Sequence, residues 1–279
     1  MLLALHLLIL AIIQGVTELF PISSLGHSIL VPAVLHWPID REAAWFLPYI
    51  VVLHLGTAAA LFIYFRRDWF ALLGGAWKAR GNVSGPQARL FWLLVLGTIP
   101  AGIIGLLLER RIRELFGSFT VAAIFLMVNG VILFIGDALK QRAARHELTG
   151  MGWWRAFGIG CAQALALIPG ISRSGATLVA GVWSGLDYAA SARFSFLLAT
   201  PIIGAAGLLE VPKLIRHRAL MPEGLMLTIV AGGILAGIFA WLSTRFLMKY
   251  FNRHEVTALR PFGIYCLLAG AVALVLRFI

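Results

Sequence analysis

Long apolar segments alternate with short polar ones along the whole chain. Six of the apolar segments approach the roughly 20 residues that an α-helix needs to cross a bilayer. They cover residues 43–65, 90–108, 119–139, 190–211, 225–247 and 261–278. The pattern predicts an all-α polytopic membrane protein with six transmembrane helices.

Four shorter apolar segments occur in two pairs. The first pair covers residues 2–20 and 28–35, and the second covers 154–168 and 177–186. A polar stretch with proline, glycine and hydroxyl side chains joins the two members of each pair. Since the second member is too short to cross a bilayer, each pair is predicted to form a re-entrant helical hairpin that enters and leaves on one side.

The hairpins and spans repeat in the same order in the two parts of the chain. Gln14, Ser23 and Gly26 recur 149 positions later as Gln163, Ser172 and Gly175. We therefore expect a single membrane domain, 1–279, made of a first repeat, 1–139, and a second repeat, 150–279. Three spans follow each hairpin, and because three is odd the repeats have inverted topology. This arrangement brings both hairpin tips to the membrane midplane.

The composition supports a membrane protein and changes the meaning of the positive charge. The 279 residues are 61% hydrophobic and 13% charged, whereas soluble domains are about half apolar and about a quarter charged. A net charge of +11 would suggest nucleic-acid binding in a soluble protein. Here the basic residues lie in loops, where they fix topology and meet anionic lipid headgroups, so no nucleic-acid partner is expected.

The basic residues also predict the orientation. The loops that carry Arg66, Lys78 and Arg155 hold more Lys and Arg than those on the other side, which include Arg110. The richer side is expected to be cytoplasmic. Both termini and the mouth of the first hairpin then face outward.

The first polar stretch carries a set of reactive side chains at a depth where polar groups are costly. The set consists of Gln14, Glu18, Ser23, Ser24 and His27. Gln14 and Glu18 stand four residues apart and share a helix face. Gly26 and His27 open a second half-helix, whose free N–H groups favour an anion. Ser24 and His27 suit a nucleophile with its base, or a hydroxyl beside an imidazole that attacks phosphate.

The structural interpretation of the same residues is capping and packing. Serine is common at helix starts, so Ser23 or Ser24 would serve as a cap, and an intramembrane histidine often only packs. Glu18 favours the functional interpretation, because a carboxylate inside the membrane is costly and suits cation binding or proton transfer.

The second polar stretch carries an arginine among small and hydroxyl residues. It contains Ser172, Arg173, Ser174, Gly175 and Thr177. A guanidinium offers a planar fork of donors that suits phosphate oxygens, and glycine lets the backbone approach a ligand closely. The stretch therefore predicts an anion site. The structural alternative is an ion pair of Arg173 with Glu18 that neutralises both charges.

Other polar residues receive less specific interpretations. His54 lies within a predicted span and either faces the cavity or packs. Asp137 stands near a span end and is expected to meet water. Cys161 and Cys266 lack metal-ligand spacing and are expected to be buried apolar fillers.

Two long motifs stand out, QGVTELFPISSLGH at 14–27 and PGISRSGAT at 169–177. They resemble the undecaprenyl-diphosphate phosphatase family associated with bacitracin resistance, and the resemblance extends over nearly the whole chain. It implies hydrolysis of undecaprenyl diphosphate to the monophosphate that carries peptidoglycan precursors. It also implies a bacterial inner-membrane location, a site open to the periplasmic face and a divalent cation such as Mg²⁺ or Ca²⁺.

The resemblance also assigns roles to individual residues. Catalytic roles fall on Glu18, Ser24, His27 and Arg173, and phosphate contacts on Ser23, Gly26, Ser172, Ser174, Gly175 and Thr177. The cation would be held by Glu18 and Gln14. Many members of this family carry a second carboxylate where this chain has Gln14, which leaves one carboxylate for the cation.

These roles lead to a hypothesis for the mechanism. Arg173 and the half-helix N–H groups bind the diphosphate, Ser24 attacks the terminal phosphorus and His27 acts as base; attack by His27 itself is the close alternative. A transporter that flips a polyprenyl phosphate lipid would use the same anion site without a nucleophile. The expected partners are the lipid substrate and the membrane, and a homodimer is compatible with the pattern.

Overall fold

Twelve α-helices and one short 3-10 helix make up the described part of the chain, which contains no strand. The structure is a computed structural model, and it describes residues 2–41, 43–140, 148–216, 221, 224–253 and 257–277. The helices are α1 (Leu2–Thr17), α2 (Ser24–Val34), α3 (Phe46–Tyr64), α4 (Arg66–Lys78), α5 (Pro86–Leu107), α6 (Glu109–Phe116), α7 (Phe119–Lys140), α8 (Trp153–Leu165), α9 (Arg173–Trp183), α10 (Tyr188–Arg216), α11 (Leu225–Arg253) and α12 (Arg260–Leu276), with the 3-10 helix at Leu148–Gly150. The prediction of an all-α protein is confirmed.

Among the described residues, five helices are long and apolar enough to cross a membrane, namely α3, α5, α7, α10 and α11. Each of them overlaps a predicted span, and together they confirm a multi-pass membrane protein. The sixth predicted span corresponds to α12, which has 17 residues. Its predicted end at 278 lies outside the described residues, as does most of the predicted boundary between the repeats at 140–149.

Two charged helices, α4 and α6, were not predicted. Their residues were expected in loops because the apolar spans end before them. In α4, Asp68 lies in the first turn and Lys78 in the last, and in α6 Glu109 lies in the first turn. Acidic residues at the start of a helix and basic ones at its end interact favourably with the helix dipole. The charged residues that end a membrane span therefore also favour the start of a new helix directly after it.

Small residues allow neighbouring helices to approach closely. α3 packs against α11, and a Cβ at Gly56 would lie 1.9 Å from the carbonyl oxygen of Gly233. α5 packs against α8, and a Cβ at Gly160 would lie 2.4 Å from the carbonyl oxygen of Gly97. Small residues at such crossings are typical of membrane helices, which associate through close packing.

The turns of the two short helix pairs, α1–α2 and α8–α9, touch each other. α2 and α9 both pack against α7. Ser23 Oγ lies 3.3 Å from the carbonyl oxygen of Ile171, and a Cβ at Gly26 would lie 3.3 Å from the Cα of Gly170. The fold therefore brings the two polar stretches of the sequence together.

Serine caps move the starts of α2 and α9. The apolar segments begin at 28 and 177, and the first half-helix was expected to open at Gly26 and His27. In the structure α2 begins at Ser24 and α9 at Arg173. Ser23 Oγ accepts the N–H of Gly26 at 3.2 Å, and Ser172 Oγ accepts the N–H of Gly175 at 3.1 Å. Capping by Ser23, the structural interpretation of that residue, is therefore observed, and Ser172 acts in the same way.

Two expectations for isolated polar residues are wrong. Asp137 is buried rather than hydrated, because its Oδ1 accepts hydrogen bonds from the Tyr188 hydroxyl at 2.6 Å and from the Leu259 N–H at 3.0 Å. Cys266 is buried as expected, but Cys161 is exposed. The position of a residue along a span does not show whether another helix buries its side chain.

Candidate active site

The buried carboxylate of Glu18 forms the centre of the site. Glu18 directly follows α1, and its N–H donates to the carbonyl oxygen of Gln14 at 2.9 Å, so the helical turn continues towards the break at Pro21. The residue is 5% exposed. A buried charge is stable only with partners, and four side chains supply them.

The second polar stretch supplies the positively charged partner of Glu18, the guanidinium of Arg173. Nη2 of Arg173 lies 3.1 Å from Oε1 of Glu18, and Nη1 donates to the carbonyl oxygen of Ser195 at 3.2 Å. The ion pair that the sequence offered as an alternative therefore forms. A guanidinium has five N–H donors, so these two bonds leave others that can meet phosphate oxygens.

The second oxygen of Glu18 has three further partners. Oε2 accepts hydrogen bonds from the Ser24 hydroxyl at 2.5 Å and from Gln14 Nε2 at 3.0 Å. Nε2 of His54 lies 3.1 Å from the same oxygen. A hydroxyl that donates to a carboxylate is positioned to lose its proton to it. Ser24 is thus paired with Glu18.

His27, which was predicted as the base for Ser24, contacts other groups. Its Nδ1 lies 2.7 Å from the carbonyl oxygen of Ser23, and its Nε2 lies 2.6 Å from the hydroxyl of Tyr265, whose ring stacks on the imidazole. A carbonyl oxygen only accepts, so a neutral ring carries its hydrogen on Nδ1 and accepts from Tyr265 through Nε2. The predicted Ser24–His27 pair does not form in this structure.

His54 is a site residue whose role the sequence left undecided. Its Nδ1 lies 2.7 Å from the carbonyl oxygen of Ile50, which directs Nε2 towards Glu18. Since the carbonyl oxygen only accepts, Nδ1 carries a hydrogen. A hydrogen bond between Nε2 and the carboxylate then requires a second proton, which lies between these two groups. The sequence feature that indicated a site residue was a histidine within an apolar span. Because α3 is apolar on every face, its sequence does not show which face meets Glu18.

The hydroxyls of the second stretch have protein partners. Ser174 Oγ donates to the carbonyl oxygen of Phe20 at 3.0 Å and lies 3.0 Å from Ser172 Oγ. Thr177 Oγ1 lies 2.6 Å from Ser195 Oγ. Ser172, Ser174 and Thr177 are each at most 2% exposed. Contact of these hydroxyls with a phosphate stays a prediction, whereas Ser172 and Ser174 are observed to join the two stretches at the carbonyl oxygen of Phe20.

The backbone at Ser23 is strained. Its φ of 67° lies in the left-handed region that residues other than glycine rarely adopt. Such strain persists only where the surroundings fix it, and it is common at functional sites. Here it lies between the chain break at Pro21 and the hydroxyl of Ser24.

A cavity lies beside these side chains. Its polar end is lined by Glu18, Ser23, Ser24, His54, Gln163, Ser172 and Arg173. Its walls are apolar and come mainly from α3, α10 and the segment that follows α8, with Ile50, Ile203 and Leu167 among them. A polar end with apolar walls suits an amphiphile that has an anionic headgroup and a hydrocarbon chain.

Gln14 and Glu18 fit part of the coordination of a divalent cation. The Oε1 of Gln14 is buried without a hydrogen-bond partner and belongs to the same side chain whose Nε2 bonds to Glu18. Amide and carboxylate oxygens are suitable ligands for Mg²⁺ and Ca²⁺. The described residues contain no group of three or more His, Cys, Asp or Glu side chains that could hold a metal. Phosphate oxygens of a substrate would have to complete such a site.

Comparison with known proteins identifies close relatives. Residues 7–272 match the family described as bacitracin resistance protein BacA. The chain is 57% identical to undecaprenyl-diphosphatase 2 of Chromobacterium violaceum, over 99% of each chain. It is 49% identical to the undecaprenyl-diphosphatase of Granulibacter bethesdensis, over 97% of this chain and 96% of that one. It is also 49% identical to undecaprenyl-diphosphatase 2 of Burkholderia orbicola, over 96% and 95% of the two chains.

Proposed function

This chain belongs to the bacitracin resistance protein BacA family, and on that premise we propose that it is an undecaprenyl-diphosphatase whose active centre is Glu18 with Ser24 and Arg173. It hydrolyses undecaprenyl diphosphate to undecaprenyl phosphate and inorganic phosphate, which returns the carrier lipid to peptidoglycan synthesis. These three residues are assigned to the active centre because one buried carboxylate contacts both a serine hydroxyl and a guanidinium.

The proposal includes the arrangement in the bacterial inner membrane. α2 and α9 have 11 residues each, and at about 1.5 Å per residue such a helix covers only about half of a hydrocarbon core of about 30 Å. We therefore treat α1–α2 and α8–α9 as re-entrant hairpins of two inverted repeats, and α12 as the sixth span. The cavity opens towards the periplasmic face, a choice supported by the excess of Lys and Arg in the loops of the opposite side.

Two helix starts and one guanidinium bind the headgroup in this scheme. Ser24 and Arg173 are the first residues of α2 and α9, and helix starts carry partial positive charge that favours anions. The N–H donors of Arg173 that do not bond to Glu18 or Ser195 meet the terminal phosphate. The prenyl chain lies along the apolar walls of the cavity.

Hydrolysis then proceeds in two steps. Ser24 Oγ attacks the terminal phosphorus, its proton passes to Glu18 Oε2, and the bond from that phosphorus to the bridging oxygen breaks. The leaving lipid monophosphate takes the proton from Glu18. In the second step Glu18 takes a proton from a water molecule that attacks the phosphoserine, and Ser24 leaves with that proton. Charge spreads over the phosphoryl oxygens in both steps, so Arg173 contributes most in the transition state.

Gln14 and Glu18 would hold a divalent cation, Mg²⁺ or Ca²⁺, together with the diphosphate. When bound, such an ion neutralises charge on the phosphoryl oxygens. The residues of the chain still provide the nucleophile, the proton acceptor and the guanidinium.

Phosphate release in detergent tests the function. Purified protein is incubated with undecaprenyl diphosphate, and inorganic phosphate is measured with and without a chelator of divalent cations. We expect release by the unaltered protein and none by Glu18→Gln. A lipid transporter has no second compartment in detergent and would release no phosphate, so an inactive but folded protein would overturn the proposal.

A further inference from the structure

A buried asparagine in the middle of α7 contacts both polar stretches. Asn129 is 0% exposed, belongs to neither motif and lies within one of the predicted spans. We propose that Asn129 is a positioning residue that holds the two stretches in register for the hydrolysis; this inference rests on the function proposed above.

The amide of Asn129 is shared between the stretches. Its Nδ2 donates to the carbonyl oxygen of Pro21 at 2.9 Å, and its Oδ1 accepts the N–H of Ser172 at 3.0 Å. Nδ2 also lies 3.4 Å from Sγ of Cys266, a weaker acceptor. One rigid planar group therefore fixes a backbone atom of each stretch.

These two backbone atoms adjoin the reacting groups. Pro21 stands three residues from both Glu18 and Ser24, and Ser172 directly precedes Arg173. A shift of either contact would change the distance from the guanidinium to the carboxylate and the hydroxyl. Misplacement of reacting groups by about 1 Å can lower a rate about 100-fold.

The other bonds between the stretches do not replace this one. Ser174 Oγ donates to the carbonyl oxygen of Phe20, and Ser23 Oγ lies near that of Ile171. These hydroxyls belong to the stretches themselves, so they would allow both to move together. Asn129 comes from a long helix that packs against α2, α9 and α12, and it ties both stretches to that scaffold.

An asparagine suits this position for chemical reasons. Its amide is a donor and an acceptor on one planar group. Leucine has the same branching and the same number of side-chain heavy atoms but would leave the Pro21 carbonyl and the Ser172 N–H without this partner, and buried backbone groups need partners. Serine also has a donor and an acceptor, but both are on a single oxygen one bond closer to the backbone, so it does not reproduce the two separate contact points of the amide.

The test measures kcat and KM of purified Asn129→Leu and Asn129→Ser with undecaprenyl diphosphate. The control is Asn252→Leu, because Asn252 is exposed and its Nδ2 donates to the carbonyl oxygen of Met248 in its own helix. We expect kcat to fall by about 10- to 100-fold, with KM within about threefold because the apolar contacts of the prenyl chain are unchanged. The control should match the unaltered protein.

A double variant separates positioning from general loss of structure. If Asn129 acts by placing Arg173, then Asn129→Leu combined with Arg173→Lys should lose less activity than the product of the two single losses, since the two changes affect one arrangement. Melting in detergent measures the folded fraction of every variant.

Three results would overturn the inference. They are a kcat within about twofold of the unaltered protein in both Asn129 variants, a loss of activity in both that only follows the loss of folded protein, and a rise in KM without a fall in kcat. If the unaltered protein itself released no phosphate, the proposed function would fail, and this inference with it.

Discussion

Nη2 of Arg173 lies 3.1 Å from Oε1 of Glu18, although the two residues are 155 positions apart in the chain. Each residue ends up beside the other because two broken helix pairs meet at their turns. The contact neutralises a buried carboxylate and directs a guanidinium into a cavity with apolar walls.

Replacement of Arg173 by lysine should lower hydrolysis strongly although the charge is kept. A lysine ammonium is a point charge and does not reproduce the planar fork that bonds to Glu18 and Ser195 together. We expect a loss of about tenfold for Arg173→Lys and about 100-fold for Arg173→Ala in single-turnover phosphate release. Arg245→Lys, on the exposed side of α11 over the Trp241 ring, is the control.

Removal of the Ser24 hydroxyl should abolish turnover. Ser24→Ala removes the group that donates to Glu18 and attacks phosphorus, so we expect phosphate release to fall by about 1000-fold or more. Ser184→Ala, which removes a hydroxyl bonded to the carbonyl oxygen of Ala180, should retain normal rates. Normal turnover by Ser24→Ala would move the nucleophile to His27.

His54 should matter through the hydrogen bond to Glu18. His54→Leu removes the partner 3.1 Å from Oε2 and should lower kcat by about tenfold, while His54→Gln keeps a donor of similar reach and should lose less. His6→Leu is the control, since His6 stacks on Trp37. Equal rates for both His54 variants would show that the hydrogen bond is dispensable.

The requirement for a divalent cation should depend on Gln14. We expect a chelator to stop hydrolysis, and titration with Mg²⁺ to restore it. In Gln14→Leu, half-maximal activity should need about tenfold more Mg²⁺, because an oxygen ligand is lost. An unchanged Mg²⁺ titration in this variant would remove Gln14 from the cation site.

A side chain at Gly56 should destabilise the protein. The Cβ would lie 1.9 Å from the carbonyl oxygen of Gly233, so α3 and α11 must separate, at a cost of about 1–3 kcal/mol. Gly56→Ala should therefore melt at lower temperature in detergent. Gly204→Ala is the matched control, because no atom lies within 4 Å of its added Cβ.

The sequence was sufficient to predict five long apolar helices and the meeting of the two polar stretches. Apolar length predicts α3, α5, α7, α10 and α11, and polar groups at depth indicate Glu18 and Arg173 because each needs a partner there. The pairing of these two residues could be predicted from the free-energy cost of a charge inside the membrane, without knowledge of the packing.

The partners of individual side chains could not be predicted in this way. A helix such as α3, apolar on all sides, does not show that His54 faces Glu18, and the same holds for Asn129 in α7. The spacing of Ser24 and His27 suggested a pair, but α2 directs the imidazole towards Tyr265 in α12 instead. Such contacts depend on the rotation of each helix about its axis, which only the packed structure reveals.

The ion pair of Glu18 and Arg173 also sets an order of events during synthesis. The ribosome delivers Glu18 before any of the long spans, and the cation that neutralises it emerges 155 residues later. Until then the side-chain partners of Glu18 are limited to Gln14, Ser24 and His54, and a carboxylate inside the membrane is costly. A chain cut off before residue 173 would therefore keep the buried acid but lack the guanidinium that pairs with it.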